Sequence, residues 1–318
     1  MIRFRPFRNS DPPALCEIWR NQAPTRGLMQ PMSPSLLEEL VLCKPHFDRH
    51  GLIVAVNNHG PIGFVHAGFG PTRDQATLDR TIGVTCLLMV GPEGDEEVAA
   101  GLLAQSESYL EKLEARDIYG GWIGRQAPFY QGLYGGSLSP GVLRSDKRQI
   151  ELYQSAGYDE SERCLVLQRE LSSFRPAIDR EIMQLRRQFT LSRVPESLLS
   201  NWWDACTVGQ LDVIRFDLLP GGQEAPAASA SFWDIEPLAS SWAVHAMGLL
   251  ELRIASGERR ELLATFLLGG AMRELKSFGA ALVEVQTDVA DHGLIAACQR
   301  LGFHEVDQGV QFRKSRGD

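Results

Sequence analysis

The sequence predicts an α/β chain of α+β layout: two domains in tandem, each a mixed, mostly antiparallel sheet flanked by helices. Three observations carry this expectation. The chain has 318 residues, more than the roughly 100–200 of one ordinary domain. Its 44% hydrophobic and 23% charged residues are the proportions of a chain that buries cores. It also repeats itself, ELYQSAGYDE at 151–160 matching AACQRLGFHE at 296–305. In both segments an apolar helix ends on a glycine, Gly157 or Gly302, followed by Tyr158 or Phe303, as a helix C-cap turning into a strand requires. Asp146 and Asp291 each stand seven residues before the matched positions Tyr153 and Cys298, where they can cap the helix starts.

The elements upstream follow one order in both halves. In the first, IRFRPF reads as a strand, SDPPALCEIWRNQ as a helix opened by Ser10, and SPSLLEELVLC as a helix with a capping box at Ser35 and Glu38. GLIVAV, the turn NNHG and PIGFVHAGF form a hairpin, because Asn and Gly accept the positive φ of a tight turn. VTCLLMV at 84–90 is the next strand. An amphipathic helix runs from Glu96 to Leu113, with Val98, Leu102, Leu103, Leu110 and Leu113 inward, and DIYGGWI follows as a strand.

The second half repeats this with LDVIRF, APAASASFW and GLLELRI, a turn at Ser256 and Gly257, a helix carrying Leu263, Phe266, Leu267 and Leu275, and the strand ALVEVQT. Its first helix is read as SLLSNWWDAC, started by Pro195 and Glu196 after a basic, irregular stretch around Arg186 and Arg187. Trp202 and Trp203 are adjacent on it and cannot both face one core, so one is expected at the domain interface. Ser and Pro in SSFRPAID interrupt the pattern, which gives domains 1–172 and 178–318. Val90 to Ile254 is an offset of 164, whereas Tyr153 to Cys298 is one of 145, so the first half carries 19 extra residues. They fall in GRQAPFYQGLYGGSLSPGVLRS, a Gly- and aromatic-rich segment too long for a routine connection.

Charge and composition narrow the function classes. Thirty-two Lys and Arg against forty Asp and Glu leave a net charge of -8, with no basic surplus to neutralise a nucleic-acid backbone. No apolar run approaches the roughly 18 residues of a membrane helix, and the basic N-terminus lacks a signal peptide's apolar core. A cytoplasmic protein is expected. Cys16, Cys43, Cys86, Cys164, Cys206 and Cys298 are scattered without C-x-x-C spacing, so reduced, mostly buried thiols are expected and no metal site.

Strand, two helices, three antiparallel strands, helix, strand, and a helix of the form L-Y-x-x-x-G-F leading to a last strand: this order resembles the GNAT acetyltransferase superfamily, twice over nearly the whole chain. The resemblance implies tandem acyl-CoA N-acyltransferase-like domains. Each would have a V-shaped sheet splayed between its fourth and fifth strands, with acetyl-CoA (coenzyme A) in the gap. The diphosphate would lie on a loop of the form [RQ]-x-x-G-x-[GA] at a helix start, where free N–H donors and the helix dipole attract an anion.

Carried onto this chain, the coenzyme positions in the first half are Met89 and Val90 on the fourth strand and Asp95, Val98, Ala99 and Ala100 on the loop, along with Glu96 and Glu97. Only Ala100 conforms to the loop pattern. Three acidic residues there oppose a diphosphate if they face it, by about 1 kcal/mol per charge pair at 4 Å even in water. In the second half the positions are Leu252 and Ile254, then Arg259, Arg260, Leu262 and Ala264. Arg259 and Ala264 fit, while Leu262 replaces the glycine. Loop chemistry thus favours the second half.

The proton-donor pattern favours the first. Tyr153 matches the family's general acid, whereas Cys298 stands there in the second half; a packed aromatic is the alternative for Tyr153. A carboxylate base is expected on the fourth or fifth strand. Glu251 is the candidate, sharing a strand face with His245 unless a bulge breaks the alternation, and solvent or interdomain partners are its alternative role. In the first half His66 is the nearby titratable group. Phe129, Tyr130 and Tyr134 of the insertion would either wall an amine substrate pocket or pack the loop down. The resulting expectation is an acetyl-CoA-dependent N-acetyltransferase, a GNAT-type acyltransferase for a small-molecule amine, with one active and one degenerate domain. A non-catalytic CoA- or ligand-binding protein is the alternative. Nucleic acid and membrane are not expected partners, and a homodimer stays open.

Overall fold

The computed structural model describes residues 2–176, 178–194, 201–254 and 260–314. The expected turn at Ser256 and Gly257, the helix start at Pro195 and Glu196, and Arg259 lie outside them. The first half contains β1 (Arg3–Pro6), α1 (Pro12–Arg20), α2 (Pro34–Leu37) running into a π-helical turn, β2 (Leu52–Val56), β3 (Pro61–Pro71) and β4 (Leu78–Val90). It continues with α3 (Glu96–Lys112), β5 (Asp117–Gly120), β6 (Val142–Leu143), α4 (Lys147–Ser155) and β7 (Asp159–Glu170). The second half contains α5 (Arg180–Gln188), β8 (Phe189–Val194), α6 (Trp202–Thr207), β9 (Val213–Pro220), β10 (Ala228–Asp234), α7 (Glu236–Trp242) and β11 (Ala246–Ile254). It ends with α8 (Arg260–Ser277), β12 (Leu282–Asp288), α9 (His292–Arg300) and β13 (His304–Lys314). Among the described residues no helix is long and apolar enough to cross a membrane.

Helix ends follow local chemistry, with some shifts from expectation. Asp11, not Ser10, stands at the start of α1, its carboxylate held by the Arg5 guanidinium and the Arg8 N–H. Ser33, not Ser35, caps α2 by accepting the Leu36 N–H. The stretch around Arg186 and Arg187 is the last turn of α5 rather than irregular, where the cations complement the helix dipole. The segment DIYGGWI is strand only as far as Gly120, because Gly121 turns the chain with φ +70°, where a Cβ would come within 2.7 Å of the Gly141 backbone. The two matched helices behave alike: Asp146 accepts the Gln149 N–H and Asp291 the Leu294 N–H. Gly157 and Gly302 lie at φ +79° and +78°. The Tyr158 and Phe303 N–H groups close back onto the carbonyls of Tyr153 and Cys298, a Schellman motif in each half. Of the six free cysteines Cys16, Cys164 and Cys298 are buried, Cys86 and Cys206 are partly buried and Cys43 is exposed.

The two halves exchange their last strands. The sheet runs β1-β2-β3-β4-β5-β13-β7-β12-β11-β10-β9-β8. Phe312 of β13 pairs with Gly120 of β5, and Cys164–Glu170 of β7 pairs with Leu282–Asp288 of β12. Each half's sheet is therefore completed by the other half's terminal strand, and β7 and β13 pair with each other at the seam. Packing follows the exchange: Val310 and Phe312 join the core of α3 and α4, while Leu167, Leu171 and Phe174 join that of α8 and α9. A third cluster, containing Trp19, Met29, Tyr130, Trp233 and Leu250, spans both halves.

The 19-residue insertion lies in this junction. The Trp203 indole donates to the Arg125 carbonyl, and Arg125 pairs with Asp204 and Glu251. Trp233 Nε1 donates to the Ser137 carbonyl, and Gln286 Nε2 to that of Leu138. Val142 and Leu143 pair with β13. Trp203 is buried at this interface and Trp202 is 36% exposed, the division expected of adjacent helical tryptophans.

Candidate functional site

In the first half β4 and β5 pair in parallel only from Ile82 and Asp117 to Thr85 and Gly120. Next in β4 comes Cys86, which has no partner on β3: His66 opposes Leu87 and Ala67 opposes Thr85. The second half has the same bulge at Leu250, between Glu251 opposite Ser231 and Leu249 opposite Phe232. Cys86 and Leu250 are separated by the offset already found between Val90 and Ile254. A bulge bends its strand and ends regular pairing, so the divergence of the fourth and fifth strands is built twice by the same device.

Past the first bulge the strands leave a cleft of about 380 Å³, walled by β4, the segment after α1, the start of α4 and Tyr134. Gly91 N–H donates to Ile62 on the β3 side, so the period of two turns the Leu88 and Val90 carbonyls into the cleft. Two carboxamides meet them there: Gln149 Nε2 donates to Leu88 O at 2.8 Å, and Gln22 Nε2 to Val90 O at 3.0 Å. Tyr134 is 8% exposed, its hydroxyl accepts the Leu143 N–H at 3.1 Å, and the Asp146 carboxyl is a charged neighbour that acts on it electrostatically. Burial pushes the Asp146 carboxyl and the Tyr134 phenol up from their usual values, since a charge there loses its water.

No family model matches this chain, and no curated protein matches it at a significant level. Solved structures do. A tandem GNAT protein from the clavulanic acid biosynthesis pathway superimposes with a TM-score of 0.66 at 14% identity, covering 100% of this chain and 99% of that one. This chain has the tandem GNAT fold. A GCN5-related N-acetyltransferase from Sphaerobacter thermophilus gives 0.65 at 13% identity over 100% and 97% of the two chains. A glucosamine N-acetyltransferase region of a fungal multi-domain β-N-acetylglucosaminidase gives 0.73 at 14%, covering 99% of this chain and 38% of that one.

In this tandem GNAT fold the residues expected from sequence divide into three groups. Met89, Val90, Ala99 and Tyr134 line the first cleft. Asp95 lies at the start of α3, where its side chain accepts the Val98 N–H at 3.0 Å. It occupies a donor that would otherwise face an anion. Val98 is buried and Ala100 exposed.

A second group is packed away. The Tyr153 ring is 1% exposed, stacked on Phe312 at 5.2 Å and pressed against Gly120, and burial pushes its phenol up. It is not among the residues lining the cleft, so the expected donor has no open face there. Phe129 and Tyr130 are core rather than pocket wall: the Phe129 ring lies tilted over His66 at 4.2 Å between centroids, and the Tyr130 hydroxyl bonds His66 Nδ1 at 2.9 Å. His66 is fully buried, and the loss of water lowers its imidazole to about 3.

The third group lies at the second half's divergence, where the insertion is wedged. A Cβ on Gly248 would come within 2.7 Å of Ser137. Glu251 lies between Arg125 at 3.2 Å and Arg253 at 3.0 Å. The bulge removes it from the face of His245, which bonds Asp234 instead. Leu252, Ile254 and Leu262 are partly buried and Ala264 is buried. Arg260 is exposed and pairs with Asp291 at 2.7 Å. Cys298 is a core thiol that burial pushes up to about 12.

Sequence reasoning missed Glu284. Alternation in ALVEVQT turns it away from Val283 and Val285, and it reads as solvent-facing. It is fully buried because the insertion covers that face. Its carboxylate accepts the Ser137 N–H at 2.7 Å and Gln168 Nε2 at 2.9 Å and pairs with Arg26. Gln22 and Gln149 were also missed, since nothing in their neighbourhoods marks a glutamine that reaches a strand edge.

Proposed function

We propose that this protein is an N-acyltransferase that moves an acetyl group from a thioester to a small-molecule amine, with the first cleft as the seat of the donor's arm. The carrying observation is the edge of β4 beyond its pairing with β5, where the Leu88 and Val90 carbonyls face a cleft of about 380 Å³ and are held by the Gln149 and Gln22 carboxamides rather than by a strand. Such an edge is a template for amide N–H donors. The tandem GNAT fold supports acetyl-CoA as donor class, and the residues fit its pantetheine arm. They do not fit its diphosphate, because Asp95 already occupies a donor at the α3 start.

In this reading the amine nitrogen attacks the thioester carbonyl; the C–N bond forms, the C–S bond breaks, the amine gives up a proton and the thiolate takes one. The titratable pair lining the cleft is Tyr134 with Asp146. Both groups lie on the cleft wall beside the arm, a position suited to general acid–base work. A carboxyl raised by burial is also a better base than an ordinary one. The second reading, ligand binding without turnover, draws on the burial of Tyr153.

The deciding experiment incubates the protein with acetyl-CoA or S-acetylpantetheine and a panel of amines, following thiol release. Ala23 is an exposed residue on the cleft wall, so Ala23→Trp should abolish amine-dependent thiol release without lowering stability. Release unaffected by that substitution would overturn the assignment to this cleft. Ligand binding blocked by Ala23→Trp, with no release for any amine, would favour the second reading.

A further inference from the structure

We infer that the first cleft selects an acyl thioester carried on an uncharged, amide-containing arm, and discriminates against the nucleotide diphosphate of coenzyme A. The inference rests on the reading of this cleft as the donor's seat and adds the chemistry of the donor's far end.

Two features of the cleft point the same way. Along β4 the site is built for neutral amides. The Leu88 and Val90 carbonyls, two residues apart and so roughly 6.6–6.8 Å along the strand, are each engaged by a primary carboxamide, from Gln149 and Gln22. These side chains occupy the positions that a ligand's own amide N–H groups would take. A ligand with two amides replaces both without leaving a buried carbonyl unpaired, whereas an apolar chain of the same length would strand them.

At the α3 end, the site opposes anions. An ordinary helix start offers free N–H groups and a positive dipole end. Here the Asp95 carboxylate takes the Val98 N–H, and Glu96 and Glu97 occupy the first turn. Glu93 stands just before them, bonded to Asn57. The cations among the cleft-lining residues amount to Arg148, which is close enough to Asp146 to interact with it. A diphosphate leaving the cleft toward α3 therefore finds a helix start whose Val98 N–H is already taken by Asp95 and whose first turn carries the exposed charges of Glu96 and Glu97. A pantetheine arm ending in a hydroxyl meets neither obstacle.

The test compares binding of acetyl-CoA and S-acetylpantetheine by calorimetry, counting only the component that Ala23→Trp removes. Wild type should bind S-acetylpantetheine at least as tightly as acetyl-CoA. The variant Asp95→Ser with Glu96→Gln and Glu97→Gln keeps a capping side chain while removing three charges. It should bind acetyl-CoA about tenfold more tightly with S-acetylpantetheine unchanged. Acetyl-CoA bound tenfold or more tightly than S-acetylpantetheine by wild type would overturn the inference and leave the cleft reading intact. An unaltered acetyl-CoA affinity in the neutralised variant would also overturn it. Binding of neither probe in the Ala23→Trp-sensitive component would overturn the cleft reading, and the inference with it.

Discussion

Lowering the pH from 7.5 to 5.0 should destabilise this protein through His66. Its imidazole is fully buried between the Phe129 and Phe47 rings; Nδ1 bonds Tyr130, and Nε2 has no partner among the described residues. His46 and Asp48 are the titratable neighbours that act on it electrostatically. Burial lowers the folded-state value to about 3 from 6.5. The unfolded chain therefore binds a proton that the folded one refuses, and the stabilisation is complete above 6.5 and lost as pH falls toward 3. Each pH unit below 6.5 costs about 1.4 kcal/mol, so pH 5.0 costs about 2 kcal/mol from this one group. His46, lowered to about 4 by burial, adds a loss of similar size down to pH 5.0, one common to wild type and His66→Gln. Urea unfolding followed by tryptophan fluorescence measures the slope of stability against pH in wild type and in His66→Gln, whose carboxamide can still reach Tyr130. Carboxylate titrations are common to both proteins and cancel in the comparison. The mean slope between pH 6.5 and 5.0 should be shallower in His66→Gln by about 1 kcal/mol per unit; equal slopes would refute the reasoning.

Other perturbations test the junction between the halves. Arg26→Ala leaves the buried Glu284 carboxylate without its cation, and should cost about 3–5 kcal/mol in urea unfolding. Arg26→Met combined with Glu284→Gln should recover at least half of that, and a double variant as unstable as the single one would contradict it. Gly248→Ala places a methyl within 2.7 Å of Ser137 Cβ and 2.9 Å of its Cα; a loss of about 1–3 kcal/mol is expected, and an unchanged urea midpoint would show that the wedge yields freely. A protease site at Ser172–Ser173, exposed residues between β7 and α5, should give two fragments that co-elute in size exclusion, because β7 and β13 each complete the other half's sheet. Separation of the fragments at neutral pH without denaturant would refute the exchange.

Much of the fold was legible because it is written in local patterns. Asp146 and Asp291 cap the helices they were read to cap, and Gly157 and Gly302 close them, since cap chemistry is decided within one helical turn. Boundaries slipped where two residues compete for one role, as Ser10 does with Asp11 and Ser35 with Ser33. Arg186 and Arg187 lost their irregular reading to α5, whose buried face of Ile182 and Leu185 is too short to stand out from the basic residues around it.

The site was legible in part. Met89, Val90, Ala99 and Tyr134 line one cleft, whereas Tyr153 matches a motif and is packed under Phe312, a residue more than 150 positions further along the chain. The sequence by itself determined the repeated closing helix with its Asp and Gly caps, most of the strands before it and the insertion that distinguishes the halves, because hydrophobic period and capping residues act between neighbours; α5, β8 and α7 escaped it. Only the tertiary structure decided which terminal strand completes which sheet, that Glu284 is buried, and that Tyr134 rather than Tyr153 faces the cleft. Strand exchange is invisible locally: β7 and β13 are both half-buried strands of similar length, and which edge each one pairs with depends on contacts between residues far apart in sequence.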